Sequence, residues 1–190
     1  MRAIEKARFQ ADSLALNAAD QACMRLLLHD DLPALEWDGE FAHFRRMYLQ
    51  VYKRMLAGLA LMWVVELPGH GVVGQAFVQF TSKADPSLAN GKTRAYIHSF
   101  RIKPKFRNMG LGSKLMQLVE ADLIRRGYKL VTLNVSRSNR GARRLYMRLG
   151  YRVMEKDPGR WSYHDEKGVL QHVNEPGWRM EKRLEKVTEE

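Results

Sequence analysis

Within one short window the chain passes from strand to loop to helix. The run Tyr96-Ile-His-Ser-Phe-Arg-Ile102 leads to Arg107-Asn-Met-Gly-Leu-Gly112, and an amphipathic pattern follows from Ser113 to Arg126. Few folds accommodate such a junction. Glycines let the backbone turn tightly and come close to a ligand, while the first-turn N–H groups of the helix lack intrahelical partners and sit at its positive dipole end. The junction is therefore a natural anion site, suited to a pyrophosphate.

Two familiar phosphate loops can be tested against the letters. A P-loop needs Gly-Lys-Ser/Thr after four intervening residues, and a dinucleotide fingerprint needs a third glycine and an acidic residue about 20 positions on. Residues 107–113 have neither a Gly-Lys-Ser/Thr nor a third glycine. The spacing instead resembles the Arg/Gln-x-x-Gly-x-Gly/Ala loop of the GCN5-related N-acetyltransferases (GNAT family). Further on, Lys129-Leu-Val-Thr-Leu-Asn-Val135 precedes Asn139-Arg-Gly-Ala-Arg-Arg-Leu-Tyr-Met-Arg-Leu-Gly-Tyr151. That segment is similar to the family's Asn-x-x-Ala-x-x-x-Tyr-x-x-x-Gly-Phe/Tyr pattern, so the resemblance spans residues 94–156.

The order of elements accords with it. Ala3–Phe9 reads as a first strand, and Leu14–His29 and Glu40–Leu56 read as helices. Phe41, Phe44, Met47, Tyr48, Val51 and Met55 stand at helical spacing as core. Strands follow at 60–67 and 71–80, joined through Pro68-Gly-His-Gly71, and residues 81–93 form a loop. Then come the strand 94–102, the helix Ser113–Arg126 stopped by Gly127, a strand at 129–135, a helix at 140–149, and strands at 151–156 and 177–184. The expected fold class is α/β (α+β): a mixed, mostly antiparallel sheet of about seven strands flanked by about four helices, in a single domain over 1–190.

The 190 residues suffice for one well-cored domain. The longest apolar stretch, Leu59–Val65, is far below a membrane span, and Met1-Arg-Ala-Ile-Glu-Lys lacks a signal-peptide core, so a cytoplasmic location and no membrane partner are expected. Cys23 is the single cysteine and reads as a small buried side chain; no two of the six histidines stand at metal-pair spacing, so no metal is expected. The net charge of +11 attracts polyanions, of which CoA is one. Lys103, Lys105, Arg107, Lys114, Arg137, Arg140, Arg143 and Arg144 gather around the proposed phosphate region, either to serve the nucleotide or as a solvated face. Nucleic acid would suit the charge too, but no motif for it is present and such a partner is not expected. Exposed edge strands leave monomer and homodimer open.

The resemblance implies acetyl-CoA as cofactor and direct acetyl transfer to a primary amine of a small molecule or protein. Arg107, Asn108, Met109, Gly110, Leu111, Gly112 and Ser113 would receive the pyrophosphate. Strands 94–102 and 129–135 would splay, and pantetheine would run along Phe100, Arg101 and Ile102, touching the backbones of Phe100 and Ile102. Asn139 would hydrogen-bond the pantetheine arm. Tyr146 matches the family's usual acid, for a thiolate leaves better protonated. His98 is the candidate base, since an imidazole pKa near 6.5 suits that work. Where the family often has a glutamate this chain has Tyr96.

Acceptor recognition falls to Asp30–Glu40 and Trp161–His164. Asp30, Asp31, Glu36, Asp38 and Glu40 with Trp37 either hold a cationic amine or cap helix ends. Trp161, Tyr163 and Trp178 either line a pocket or close the core. Alternatives from other classes are a non-catalytic acyl-CoA-binding regulatory module and a basic nucleic-acid- or ribosome-associated protein.

Overall fold

The computed structural model describes residues 19–185. Its centre is a seven-stranded sheet in the order β1-β2-β3-β4-β5-β9-β6, where β1 is Cys23–Leu26, β2 Ala60–Leu67, β3 Gly71–Gln79, β4 Arg94–Ile102, β5 Leu130–Ser136, β6 Arg152–Asp157 and β9 Gly177–Arg183. Every neighbouring pair is antiparallel except β4 with β5. This is the mixed sheet expected from the sequence. The strands β7 (Arg160–His164) and β8 (Leu170–Asn174) form a separate hairpin, which the alternation of the sequence did not reveal.

Two cores sandwich the sheet. On one face helix α2 (Leu111–Arg125) packs Leu115, Met116, Val119 and Leu123 against Val65, Ala95, Ile97, Val131 and Leu133. On the other, helix α1 (Arg45–Leu56) places Tyr48 and Val51 against Met62, Val64 and Phe77. Helix α3 (Arg140–Arg148) follows β5 and buries Tyr146. Both central faces of β2 and β3 are covered, so these strands read as nearly continuous apolar runs.

The N-terminal reading requires correction. The expected strand Ala3–Phe9 and the start of the expected helix Leu14–His29 lie outside the described residues, but Cys23–Leu26 is a strand on the edge of β2 and His29–Glu36 is a 3-10 segment. Helical spacing of apolar residues loses here to the free edge of β2, which supplies backbone hydrogen bonds. Arg25 anchors the new strand, its guanidinium bonding Glu66 at 2.8 Å and Asp31 at 2.6 Å and 3.0 Å. Cys23 is exposed, not buried, because β1 is an outer strand.

The feature that positions the site is the parting of β4 from β5. They pair from Arg94 with Leu130 to Ile97 with Leu133, after which β5 continues along β9 as far as Ser136 and β4 stays only with β3. At that point β4 also bulges: His98 pairs with Phe77 and Arg101 with Gln75, so one extra residue is inserted, with Ser99 at φ +51°. The insertion reverses the alternation of the strand. Ala95 and Ile97 point to the α2 core, and after the bulge Phe100 and Ile102 do so as well, leaving Arg101 on the α1 side.

Candidate functional site

Downstream of the bulge a 3-10 turn, Pro104–Phe106, leads into the glycine loop and is pinned by the buried Phe106 ring against His70. Arg107 folds back so that its Nε donates to the Ile102 carbonyl at 2.9 Å, which leaves the outer nitrogens of the guanidinium facing the cleft. Asn108 and Gly110 take left-handed conformations, at φ +62° and +77°, to turn the chain into α2. Gly112 answers a different demand. A Cβ there would come within 3.2 Å of Phe100 Cζ and 3.5 Å of Leu145 Cδ2, so its smallness lets the first turn of α2 close onto β4 and α3.

These pieces border a cleft of about 630 Å³. Of the residues singled out from the sequence, Phe100, Arg101, Ile102, Arg107, Asn108, Gly110, Gly112, Ser113 and Asn139 all line it. Met109 and Leu111 instead pack into the α2 core, and Tyr146 is buried just behind Phe100, ring centroids 5.9 Å apart. Asn139 caps α3, its Oδ1 accepting from the Ala142 N–H at 3.0 Å, so its amide nitrogen is the part left for a ligand. Of the basic residues gathered by sequence Arg107 alone lines the cleft; Lys114 bonds the Ala19 carbonyl at 2.8 Å, and Arg137 and Arg143 stack on Trp178.

Trp37, named from the sequence with the acidic cluster, and Phe41, read there as core, also line it, and the sequence reading passed over Gly141, Leu145 and Arg148, which complete the walls. Gly141, Leu145 and Arg148 fall at helical i, i+4, i+7 spacing on α3, a signal that was available. Trp37 and Phe41 come from far upstream, and no local pattern ties them to the glycine loop.

Burial pushes the Tyr146 hydroxyl well above its usual range, with Tyr96 adding to the effect, so it keeps its proton at neutral pH. Tyr96 is likewise pushed up to about 12 by burial and is no base. His98 lies between the rings of Tyr96 and Phe77, its Nδ1 3.1 Å from Ser99 Oγ. Burial, with the charges of Arg101 and Arg54 adding, pushes its imidazole down to about 4. The expectation of an ordinary value near 6.5 is thus corrected: the ring is buried, and among the described residues no carboxylate acts on it to offset that burial.

The acidic cluster resolves largely into structure. Asp31 is bound by Arg25 and caps the Leu28 N–H at 2.8 Å, and Glu36 receives two bonds from Arg45 at 2.6 Å and 2.7 Å. Asp30, Asp38 and Glu40 are exposed. The β7–β8 hairpin leans on α1 through Tyr163 and Trp161, 4.8 Å and 6.1 Å from the Phe44 ring, whereas Trp178 packs against the α2 core. Among the described residues no helix is long and apolar enough to cross a membrane.

The model of the Acetyltransferase (GNAT) family matches residues 24–151. A curated relative, the probable N-acetyltransferase camello of Xenopus tropicalis, is 28% identical over 130 residues, covering 64% of this chain and 56% of that protein. The chain therefore spans just over half the length of that relative. The ribosomal-protein-S18-alanine N-acetyltransferase of Escherichia coli superposes with TM-score 0.64 at 19% identity, over 88% of this chain and 97% of the other. The putative acetyltransferase yncA of Salmonella typhimurium, solved with its cofactor acetyl-CoA, gives 0.65 at 18%, over 89% and 97%. The spermidine N-acetyltransferase of Vibrio cholerae, solved with CoA and spermine, gives 0.62 at 15%, over 87% and 96%. At these identities the superpositions establish the fold.

Proposed function

The chain belongs to the GNAT acetyltransferase family, and on that premise we propose that it is an acetyl-CoA-dependent N-acetyltransferase acting directly on a primary amine. One observation carries the reading: the parting of β4 from β5 coincides with the bulge and opens onto a cleft bordered by the glycine loop, the first turn of α2 and the cap of α3. The residues fit the cofactor. First-turn N–H groups and the outer nitrogens of Arg107 suit a pyrophosphate, and Gly112 keeps the cleft floor free of a side chain.

When bound, acetyl-CoA supplies a thioester whose C–S bond breaks as the acceptor's C–N bond forms. The chain has two proton tasks. Tyr146 Oη, held protonated by burial, is the donor for the departing sulfur. His98, neutral at pH 7 and with Nδ1 3.1 Å from Ser99 Oγ, is the candidate to take the ammonium proton. Beyond Ile97 the edge of β4 that faces β5 is unpaired, and its backbone N–H groups are suited to stabilise charge on an acyl oxygen.

A screen of amines and peptides with acetyl-CoA, read by free thiol release, tests the proposal. Amine-dependent release is expected. CoA binding with no release on any amine would make the protein a binding module instead.

A further inference from the structure

On the α1 side of the cleft the charge that stands without a partner is positive. The bulge sends Arg101 to the α1 face, away from the glycine loop and α2. There its guanidinium lies 4.0 Å from the centroid of Phe41 and 5.1 Å from that of Phe44, and Nη1 donates to the Tyr48 hydroxyl at 2.9 Å. Among the described residues Arg101 has no carboxylate partner, and unlike the other unpaired arginines of the cleft it lies over two aromatic rings. Asp31 and Glu36, the half-buried acids of the neighbouring 3-10 segment, are taken by Arg25 and Arg45.

An uncompensated cation half-buried among aromatic rings is costly unless something returns the lost hydration. A further polar group shares the predicament: among the described residues Trp37 Nε1 is buried without an acceptor. Since Trp37, Phe41 and Arg101 all line the cleft, what is missing is an anionic group arriving through it.

We infer that the acceptor is a free α-amino acid with an apolar side chain, its carboxylate held by Arg101 and its side chain against Trp37 and Phe41. The planar guanidinium fork matches a carboxylate. His98, the proposed base, lies on the same face of β4 three residues earlier, which places the reacting amine near the carboxylate, as the two are on one α-carbon. A polyamine would instead be repelled. The inference rests on the acetyltransferase reading and deepens it.

The test compares thiol release with phenylalanine, phenylalaninamide, spermidine and a C-terminally amidated peptide. A charge-assisted contact should favour phenylalanine over its amide by about 10- to 100-fold in kcat/KM. Arg101→Gln should bring that ratio near one, and Arg101→Lys, which keeps the charge without the fork, should retain part of it. Turnover on the amide, spermidine or the peptide equal to that on phenylalanine overturns the carboxylate assignment and leaves the enzyme an acetyltransferase. Calorimetric titration of phenylalanine and phenylalaninamide into the CoA-loaded protein reads the same preference without chemistry. Equal affinities, or a preference that survives Arg101→Gln, also overturn it, whereas a carboxylate preference in binding with no thiol release on any amine would overturn the enzymatic reading alone.

Discussion

The two ends of the cleft are built in different ways. The cofactor end comes from one continuous stretch, β4 through α3, in which each turn follows its neighbour within a few residues. The proposed acceptor end is assembled from Trp37 just after the 3-10 segment, Phe41 ahead of α1 and Arg101 beyond the bulge in β4. Local chemistry fixes the first, because glycine conformations, helix caps and first-turn N–H groups are properties of short segments. The second exists only once distant segments meet. Mutations at the cofactor end should therefore change how much catalysis occurs, and those at the acceptor end should change what is acetylated.

The sharpest challenge to that division is Tyr146→Phe. Removing the donor hydroxyl should lower kcat by about 10²–10⁴-fold with CoA affinity little changed, measured by thiol release and calorimetry. Full turnover on an identified amine would end the acid assignment.

His98 stands where the two ends meet and should show a smaller effect with a distinctive pH signature. A base held down to about 4 is competent above that pH, so the acidic limb of kcat should fall near pH 4 and not near 6.5, and His98→Ala should remove the limb while lowering kcat by about 10²-fold. Stability follows with its sign fixed. Between roughly pH 6.5 and 4 the unfolded chain binds a proton that the folded chain does not, so the wild type should lose stability as pH falls through that window, by about 1.4 kcal/mol per unit of displacement. His98→Asn should lose less over the same range in denaturant titrations. A wild-type limb that stays near 6.5 would place the base elsewhere.

Gly112→Val tests the cofactor end without touching chemistry. The added side chain must push Phe100 or Leu145 aside, at a cost of about 1–3 kcal/mol, and should weaken CoA binding by about tenfold in a protein that still folds. Undiminished affinity would sink the assigned phosphate loop. Smallest of all, Asp31→Ala releases Arg25 from a largely structural pair at the acceptor end. It should cost about 1 kcal/mol of stability and leave the preference among amines unchanged. A changed preference would return the acidic residues to acceptor recognition.

How much was legible follows the same line. The Arg107–Gly112 loop, the Asn139–Tyr151 motif and the strands from residue 60 to 102 were readable because their signals repeat over a few residues. The strand at Cys23–Leu26 was not, since its conformation is decided by the edge of β2 some 40 residues away. Nor was the β7–β8 hairpin, whose mostly exposed residues leave little apolar pattern.

The sequence by itself determined the order of strands and helices from residue 60 to 156, the glycine junction and the candidate donor Tyr146, because these depend on backbone freedom and periodicity. Tertiary structure alone decided the rest. One inserted residue at Ser99 reversed the faces of β4, so that Arg101 reached the aromatic rings ahead of α1, and burial of His98, with the charges of Arg101 and Arg54 adding, lowered its proton affinity. Side-chain direction after a bulge and the desolvation of a buried group depend on what the rest of the chain places nearby, and that information is nonlocal.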